Sequence, residues 1–531
     1  MGQQSQHSPH SQHSQHSPRN QHGPSNIADL LDRWLERAPD REVVRFGDRS
    51  WTWAQWVDRV RRNAGAQVAA GLRPGDRVAF LDKNHPACLE TTMACALAGT
   101  VSALPNFRLA AEEIAYLLND AKARVLLVGA EFAPLVAGIR DQLGHLERVI
   151  VVGGVDDEYE AWLAGAQPLA RRHPAEPDDC FLQLYTSGTT GRPKGAMLTH
   201  RGVLAHSVNG AGYFGVDETS TAQVAMPLYH VGGTNWALIA LNAGGAVVID
   251  RDVVPAAVAD ELETAGVTHT FLVPAVLALL LALPDLGNRD FSALRCVSYG
   301  SSPIPAPVLR ACLATLKADF LGLYGMTETS GILTALPKEA HRDTANEHRL
   351  LSVGRPMPGV ELIVVDPATG DPVPMGDSGE VWVRGEQVMS GYFGRPEQTA
   401  DALRADGWFR TGDAGRLDGE GYLYLTDRVK DMIISGGENI YPAEIERVLV
   451  EHPAVAEVAV IGVPHPKWGE TPKAVVVAAA GHPVDGPGLI EYCRERLARF
   501  KCPTSVEQVD ALPRNPTGKV LKTELRRVFA G

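Results

Sequence analysis

Residues Tyr185-Thr-Ser-Gly-Thr-Thr-Gly-Arg-Pro-Lys-Gly195 place four aliphatic hydroxyls, three glycines and a lysine within eleven positions. That chemistry suits a polyphosphate. Glycines let backbone N–H groups approach the oxygens, hydroxyls donate hydrogen bonds or ligate a cation, and Lys194 adds positive charge. The stretch is not a Walker A loop, because spacing from Gly188 would need glycine at 193 and Pro193 stands there. The apolar run Phe181–Leu184 just before it predicts a strand leading into an ordered loop.

Outward from that loop, short apolar runs alternate with amphipathic stretches. Arg77–Asp82, Arg124–Val128, Val149–Val152 and Ala246–Asp250 read as buried strands, and Ala110–Asp120 reads as a helix between them. Leu30, Leu31, Trp34 and Leu35 share one helical face. The apolar run Phe271–Leu286, whose one charged residue is Asp285 near its end, reads as a buried core helix, too short to span a bilayer. The alternation predicts an α/β fold, a large N-terminal domain of parallel-rich sheets covered by helices. After about residue 350 the strands Val360–Val365 and Glu380–Arg384 lie between Gly, Pro and Asp turns, which predicts a β-rich subdomain. A smaller α+β unit follows from Arg428, with strand Asp431–Ile434, a Ser435–Asn439 turn, and a helix opened by Pro442 with Ile445, Val448 and Leu449 on its apolar face. It continues through strands Val455–Ile461 and Ala474–Ala479, a helix Leu489–Leu497 and a basic final helix. The domain reading is a disordered tail 1–26, rich in His, Ser and Gln, an N-terminal domain 27–427 and a C-terminal domain 428–531.

The 531 residues are 45% apolar and 21% charged, ordinary globular proportions that exclude wholesale disorder. The net charge of −13 argues against nucleic acid as a partner. Seven cysteines without a C-x-x-C pair form neither a disulfide framework nor a zinc pattern, so buried reduced thiols are expected. No secretory leader or membrane span is legible, and the expected location is the cytoplasm without integral membrane contact.

The loop resembles the phosphate-binding signature of the AMP-forming acyl–adenylate enzymes, which include acyl-CoA synthetases, luciferases and peptide-synthetase adenylation domains. Other matches follow in order. Met226-Pro-Leu-Tyr-His-Val-Gly-Gly233 looks like the substrate gate, Tyr324-Gly-Met-Thr-Glu328 the adenine and magnesium motif, and Trp408-Phe-Arg-Thr-Gly-Asp413 the ribose motif. Gly379–Gly385 and Met389-Ser-Gly-Tyr392 match further family segments. Asp427–Asn439 looks like the hinge, and Pro513-Arg-Asn-Pro-Thr-Gly-Lys519 the catalytic-lysine loop. The resemblance covers about residues 27–528.

The resemblance implies roles, residue by residue. ATP or AMP would be held by Thr186, Ser187, Gly188, Thr189, Thr190, Gly191 and Lys194, by the Gly300-Ser301-Ser302 turn, and by Tyr324, Gly325, Met326 and Thr327. Tyr324 would stack on adenine, while Asp413 would accept the ribose hydroxyls with Arg428 nearby. Glu328, aided by Thr186, would hold Mg²⁺, whose remaining ligands come from the phosphates. His230 would gate the carboxylate, and Tyr229, Val231, Gly232, Trp236 and Gly331 would line an acyl pocket read as roomy and apolar. One departure is Gly322-Leu323, where many relatives carry a polar Gln-Gly. Lys519 would stabilise charge at the α-phosphate and the attacking carboxylate. The small C-terminal domain would be mobile, rotating about Lys430 to bring Gly436 and Gly437 to a thiol tunnel.

The implied reaction converts a carboxylic acid and ATP to acyl-AMP and pyrophosphate, then acyl-AMP and coenzyme A to a thioester. A medium- or long-chain fatty acid is the expected substrate, with a benzoate- or cinnamate-type acid as the alternative. An amino acid is disfavoured because Val231–Asn235 has no Asp to pair an ammonium. A separate carrier protein as thiol acceptor is the lesser alternative, since the chain ends at Gly531 without a fused carrier. A luciferase-like oxygenase shares these motifs, whereas a regulator with decayed catalysis would have lost Lys519, Glu328 or Asp413. A homodimer is compatible with the sequence. Deleting residues 1–24 should leave the rate and the thermal midpoint nearly unchanged, because a polar tail buries little; a midpoint lowered by several degrees would show that it docks.

Overall fold

The computed structural model describes residues 26–155, 157–186, 192–428, 431–435, 438–466, 468–497, 499–514 and 520–529. The tail proposed to be disordered lies outside them, except for Asn26, which is buried.

Two sheets build the large domain. One has nine strands, with a parallel centre running through Glu42–Phe46, Ala246–Ile249, Thr221–Val224, His269–Leu272, Cys296–Gly300 and Asp319–Met326. Antiparallel strands close its two ends: Arg49–Thr52 at one, Gly331–Leu336 and Arg355–Pro356 at the other. The second sheet has seven strands, parallel through Arg148–Val152, Ala123–Gly129, Arg77–Leu81, Val101–Leu104 and Cys180–Thr186. Its edge is antiparallel, formed by Lys194–Thr199 and the two-residue strand Gly391–Tyr392.

The apolar runs became strands because both faces of a parallel sheet are covered, so their side chains face protein on either side. Helix Pro86–Ala98 is buried at every position. Its one acid, Glu90, accepts from Arg59 Nε at 2.7 Å and from the Tyr159 hydroxyl at 2.7 Å, which compensates the buried charge.

The run Phe271–Leu286 corrects the expectation of one buried core helix. Phe271 and Leu272 end a sheet strand, Pro274 opens the short helix Pro274–Leu281, and Leu279 is exposed. A proline suits the first helical turn, where its missing N–H is not needed. Periodicity alone does not separate a buried strand from a buried helix in such a run.

A four-stranded antiparallel sheet follows, in the order Glu361–Val365, Gly379–Arg384, Phe409–Leu417, Leu423–Arg428. The last unit pairs Val455–His465 with Gly469–Ala478 and adds Ile433–Ser435, Glu438–Ile440 and Ser505–Val509. Helix Pro442–Val450 covers one face through Ile445 and Leu449, while Leu525 of helix Lys522–Phe529 packs with Ala459, Ile461 and Val475. The expected strand Asp431–Ile434 falls at Ile433–Ser435. All seven cysteines are free, six of them buried and Cys180 half-buried, as expected for reduced thiols. Among the described residues no helix is long and apolar enough to cross a membrane.

Burial holds five histidines neutral. It lowers His85 to about 3, and His200, His206, His230 and His341 to about 4. Between those values and 6.5 the unfolded chain binds protons that the folded chain does not, so stability rises with pH across that window. Asp250 acts in the opposite sense, because burial raises its carboxyl to about 7. Burial also lowers His269 and raises Asp82 and Glu261, so six histidines stand against three acids. The thermal midpoint should therefore fall as pH is lowered from about 6.5 toward 5, before ordinary carboxylates protonate. A flat midpoint over that interval in a pH series would contradict this account.

Candidate functional site

The polyphosphate-type stretch joins two antiparallel strands. Thr186 pairs with Lys194 and Tyr185 with Gly195, so the loop leaves and re-enters the edge of the seven-stranded sheet. Ser187, Gly188, Thr189, Thr190 and Gly191 lie outside the described residues, as do Lys430, Gly436, Gly437 and Lys519. The Arg428 side chain is likewise not described, although its backbone pairs with Asp413.

The base of the loop is built by a distant segment. Gly391 and Tyr392 pair with Met197 and Ala196, and Phe393 N–H donates to the Gly195 carbonyl at 2.8 Å. This edge strand places the Tyr392 ring under Lys194, with Nζ 4.5 Å from the centroid. The same phenol donates to Glu328 Oε1 at 2.9 Å. Glu328 sits on the short turn Thr327–Thr329, which packs against both strands of the loop hairpin. Its carbonyl accepts from Met389 N–H at 2.8 Å. Glu328 and Lys194 are thus brought to one place, on the two sides of Tyr392. Tyr392 lies within the Met389–Tyr392 segment, whose sequence alone carries no sign of either contact.

The turn is held by the pairing of Asp319–Met326 with Gly331–Leu336. Gly325 lies so close to the Gly331 carbonyl that a Cβ there would collide with it. Tyr324 and Asp413, separately assigned to base and ribose, are coupled: the phenol donates to Asp413 Oδ2 at 2.6 Å in a buried contact. Gly300 ends a central strand where a Cβ would meet the Leu323 carbonyl, and the exposed Ser301 takes a left-handed φ of +69°. Ser302 is exposed beside it, Met326 and Thr327 are half-buried, and Gly325 is exposed.

The gate residues lie where Met226–His230 enters helix Val231–Ala243. His230 is half-buried, directly precedes the helix, and packs its ring 4.4 Å from that of Tyr229. Tyr229 is buried with its hydroxyl unpartnered and meets Phe107 edge-on at 5.4 Å. Trp236 is 5% exposed, donates to the Gln223 carbonyl at 3.0 Å and lies between Phe214 and Phe271.

The expected roominess of the acyl region does not hold at its glycines. A Cβ on Gly232 would come within 2.9 Å of Phe271, and one on Gly233 would meet the Pro227 carbonyl. One on Gly331 would lie 2.6 Å from His206 Nε2. Neighbours already fill the space that small residues suggested. The surroundings are also polar as well as apolar: His206 Nε2 accepts from Ile332 N–H at 3.1 Å, and Asn235 donates to the Ser330 carbonyl at 2.6 Å. His206 Nδ1, Asn235 Oδ1 and Ser330 Oγ are buried without partners. Sequence reading missed these because nothing local marks a polar residue that faces another element.

Comparison with known proteins agrees with the geometry. Residues 31–393 match the AMP-binding enzyme family, and residues 444–519 match the AMP-binding enzyme C-terminal domain. A feruloyl-CoA synthase of Amycolatopsis sp is 43% identical, covering 94% of this chain and 98% of its own length. A fatty acid–[acyl-carrier-protein] ligase of Streptomyces coeruleorubidus is 39% identical over 93% of this chain and 95% of its own. The crystal structure of ATP-bound MatB from Rhodopseudomonas palustris superposes with a TM-score of 0.86 at 34% identity, covering 95% of this chain and 99% of that one. A loop hairpin braced to an acidic turn, a coupled Tyr324–Asp413 pair and matches across nearly the whole chain place this protein in the AMP-binding enzyme family, among relatives most of which are named as acid–CoA ligases.

Proposed function

We propose that the protein activates an aromatic carboxylic acid with ATP and transfers the acyl group to coenzyme A. The observation that carries the ATP half is the convergence of Lys194 and Glu328 on Tyr392 at the mouth of the loop hairpin. A cation beside a carboxylate there suits a magnesium–triphosphate. Glu328 and the Thr186 hydroxyl are hard oxygen donors and fit Mg²⁺, which takes further ligands from phosphate and water. Bound there, Mg²⁺ would neutralise charge on the pyrophosphate leaving group.

Two steps divide a difficult acylation into feasible ones. The acid's carboxylate attacks the α-phosphate, releasing pyrophosphate and forming a mixed anhydride; the thiol then displaces AMP. Tyr324 would present its ring to adenine, with the Gly300–Ser302 turn opposite, while Asp413 would receive the ribose hydroxyls. The Tyr324 hydroxyl orients the Asp413 carboxylate by donating to Oδ2. His230, neutral at physiological pH because burial lowers it to about 4, would contribute hydrogen bonding and shape at the carboxylate rather than charge. We assign residues 27–427 and 428–531 to two bodies, with Lys430 as hinge, Lys519 delivered for adenylation, and Gly436 and Gly437 delivered for thiol transfer.

Support for an aromatic acid comes from the wall of Phe214, Trp236 and Phe271, from the filled glycine positions, and from a 43% identical relative named as a feruloyl-CoA synthase. A fatty acid is the second reading, favoured by the relative named as a fatty acid ligase. A pyrophosphate-release screen over aryl, fatty and amino acids, with and without coenzyme A, separates the two. The expected nucleotide product is AMP; ADP as the main product would end the adenylation reading.

Lys519→Ala should slow adenylation by on the order of 10²–10³. The same variant, given synthetic acyl-AMP and coenzyme A, should still form thioester near the wild-type rate. Gly437→Trp should show the reverse pattern. Equal slowing of both half-reactions by Lys519→Ala would refute the assignment of two orientations.

A further inference from the structure

Asp120 ends helix Ala111–Asp120, outside every motif described above. Its side chain is only 7% exposed, so its charge needs partners. Three side chains supply them. The Tyr185 hydroxyl donates to Oδ2 at 3.1 Å, Arg395 to Oδ1 at 2.5 Å, and the Tyr116 hydroxyl lies 3.5 Å from Oδ1.

Those partners reach the two feet of the loop hairpin. On the entering side, the Tyr185 hydroxyl also accepts from Gln183 Nε2 at 3.0 Å, within the strand that runs into the loop. On the returning side, Arg395 donates to the Tyr116 hydroxyl at 3.2 Å, and that hydroxyl reaches the Pro193 carbonyl at 3.3 Å. Pro193 directly precedes Lys194. The Arg192 guanidinium lies 5.2 Å from the centroid of the Tyr116 ring. Tyr116, Arg192, Pro193, Lys194, Arg395 and Gln398 together line one cleft beside the hairpin.

We propose that Asp120 is a positioning residue for the nucleotide: through Tyr185 on one side and Arg395 and Tyr116 on the other, it sets the spacing of the two feet of the phosphate loop. It touches no substrate, and its own charge is taken up by Arg395, which keeps a carboxylate close to the phosphate site without repelling the phosphates. The inference rests on the ATP reading above.

Asp120→Asn conserves size but removes the charge that holds Arg395, and its single amide oxygen can accept from only one of the two donors, Tyr185 and Arg395. The KM for ATP, and the ATP affinity measured directly by calorimetry on the full chain, should weaken about tenfold, equivalent to losing one charge-assisted bond. kcat and the KM values for acid and coenzyme A should change less than about twofold, a split that general destabilisation would not produce. Arg395→Met should give the same ATP shift, and the double variant should add little to either single one. If Asp120→Asn fails to fold, Tyr116→Phe removes only the hydroxyl between Arg395 and Pro193 and should raise the KM for ATP about threefold. Unchanged ATP affinity in the folded variant, or parallel losses for all three substrates, would overturn the proposal. A wild-type protein that binds no ATP would instead overturn the nucleotide reading on which it stands.

Discussion

The contact on which the site depends most is the edge pairing of Gly391–Tyr392 with Met197 and Ala196. Two residues of ladder fix which way Tyr392 faces, and a slip of one residue would turn its ring to the other side of the sheet. From the observed register the ring meets Lys194 and the hydroxyl meets Glu328. The same segment carries Arg395 to Asp120 and Phe393 to Gly195. A short edge strand therefore ties the loop, the acidic turn and the helix end into one frame. The antiparallel edge makes this feasible, because residues more than a hundred and ninety positions apart pair directly there without a crossover helix.

Much of the architecture was legible in the chain because burial writes itself into composition. Central parallel strands such as Ala123–Gly129 and Ala246–Ile249 face protein on both sides and read as unbroken apolar runs. The phosphate loop was legible for a different reason: its chemistry is local, with hydroxyls, glycines and a lysine in sequence order. The edge strands were not seen, since Gly331–Leu336 and Gly391–Tyr392 are recognisable only by what they pair with. Phe271–Leu286 reads as one helix because one proline, not a change in hydrophobicity, separates its strand from its helix. Tyr392, Asp120 and Asn235 act across long sequence distances, and a single sequence holds no record of such meetings.

The acyl region shows why small residues mislead. In a sequence, glycine stands for a missing side chain and so for space. In the fold that space belongs to whichever neighbour reaches it first, here the Phe271 ring beside Gly232 and the His206 imidazole beside Gly331. Close packing leaves few voids, so a glycine more often marks a tight approach than an opening. Unpartnered atoms are the better guide to polarity in that region. The His206 Nδ1 atom, the Asn235 side-chain oxygen and the Ser330 hydroxyl are buried polar atoms without a partner there, among residues whose sequence positions mark no polar site.

The buried cysteines carry a practical consequence. Burial raises Cys95, Cys180 and Cys296 to about 12 and Cys312 and Cys493 to about 11, and pushes Cys88 and Cys502 up as well. At neutral pH the first five hold roughly one thiolate in ten thousand or fewer, and the thiolate is the species that alkylates and exchanges. Burial and the raised thiols therefore make the native cysteines poor nucleophiles toward maleimides and mixed disulfides. A single cysteine introduced at an exposed position of each unit would accept a fluorophore without first removing the natural seven, so distances between the units could be followed by energy transfer during turnover in an otherwise unaltered protein.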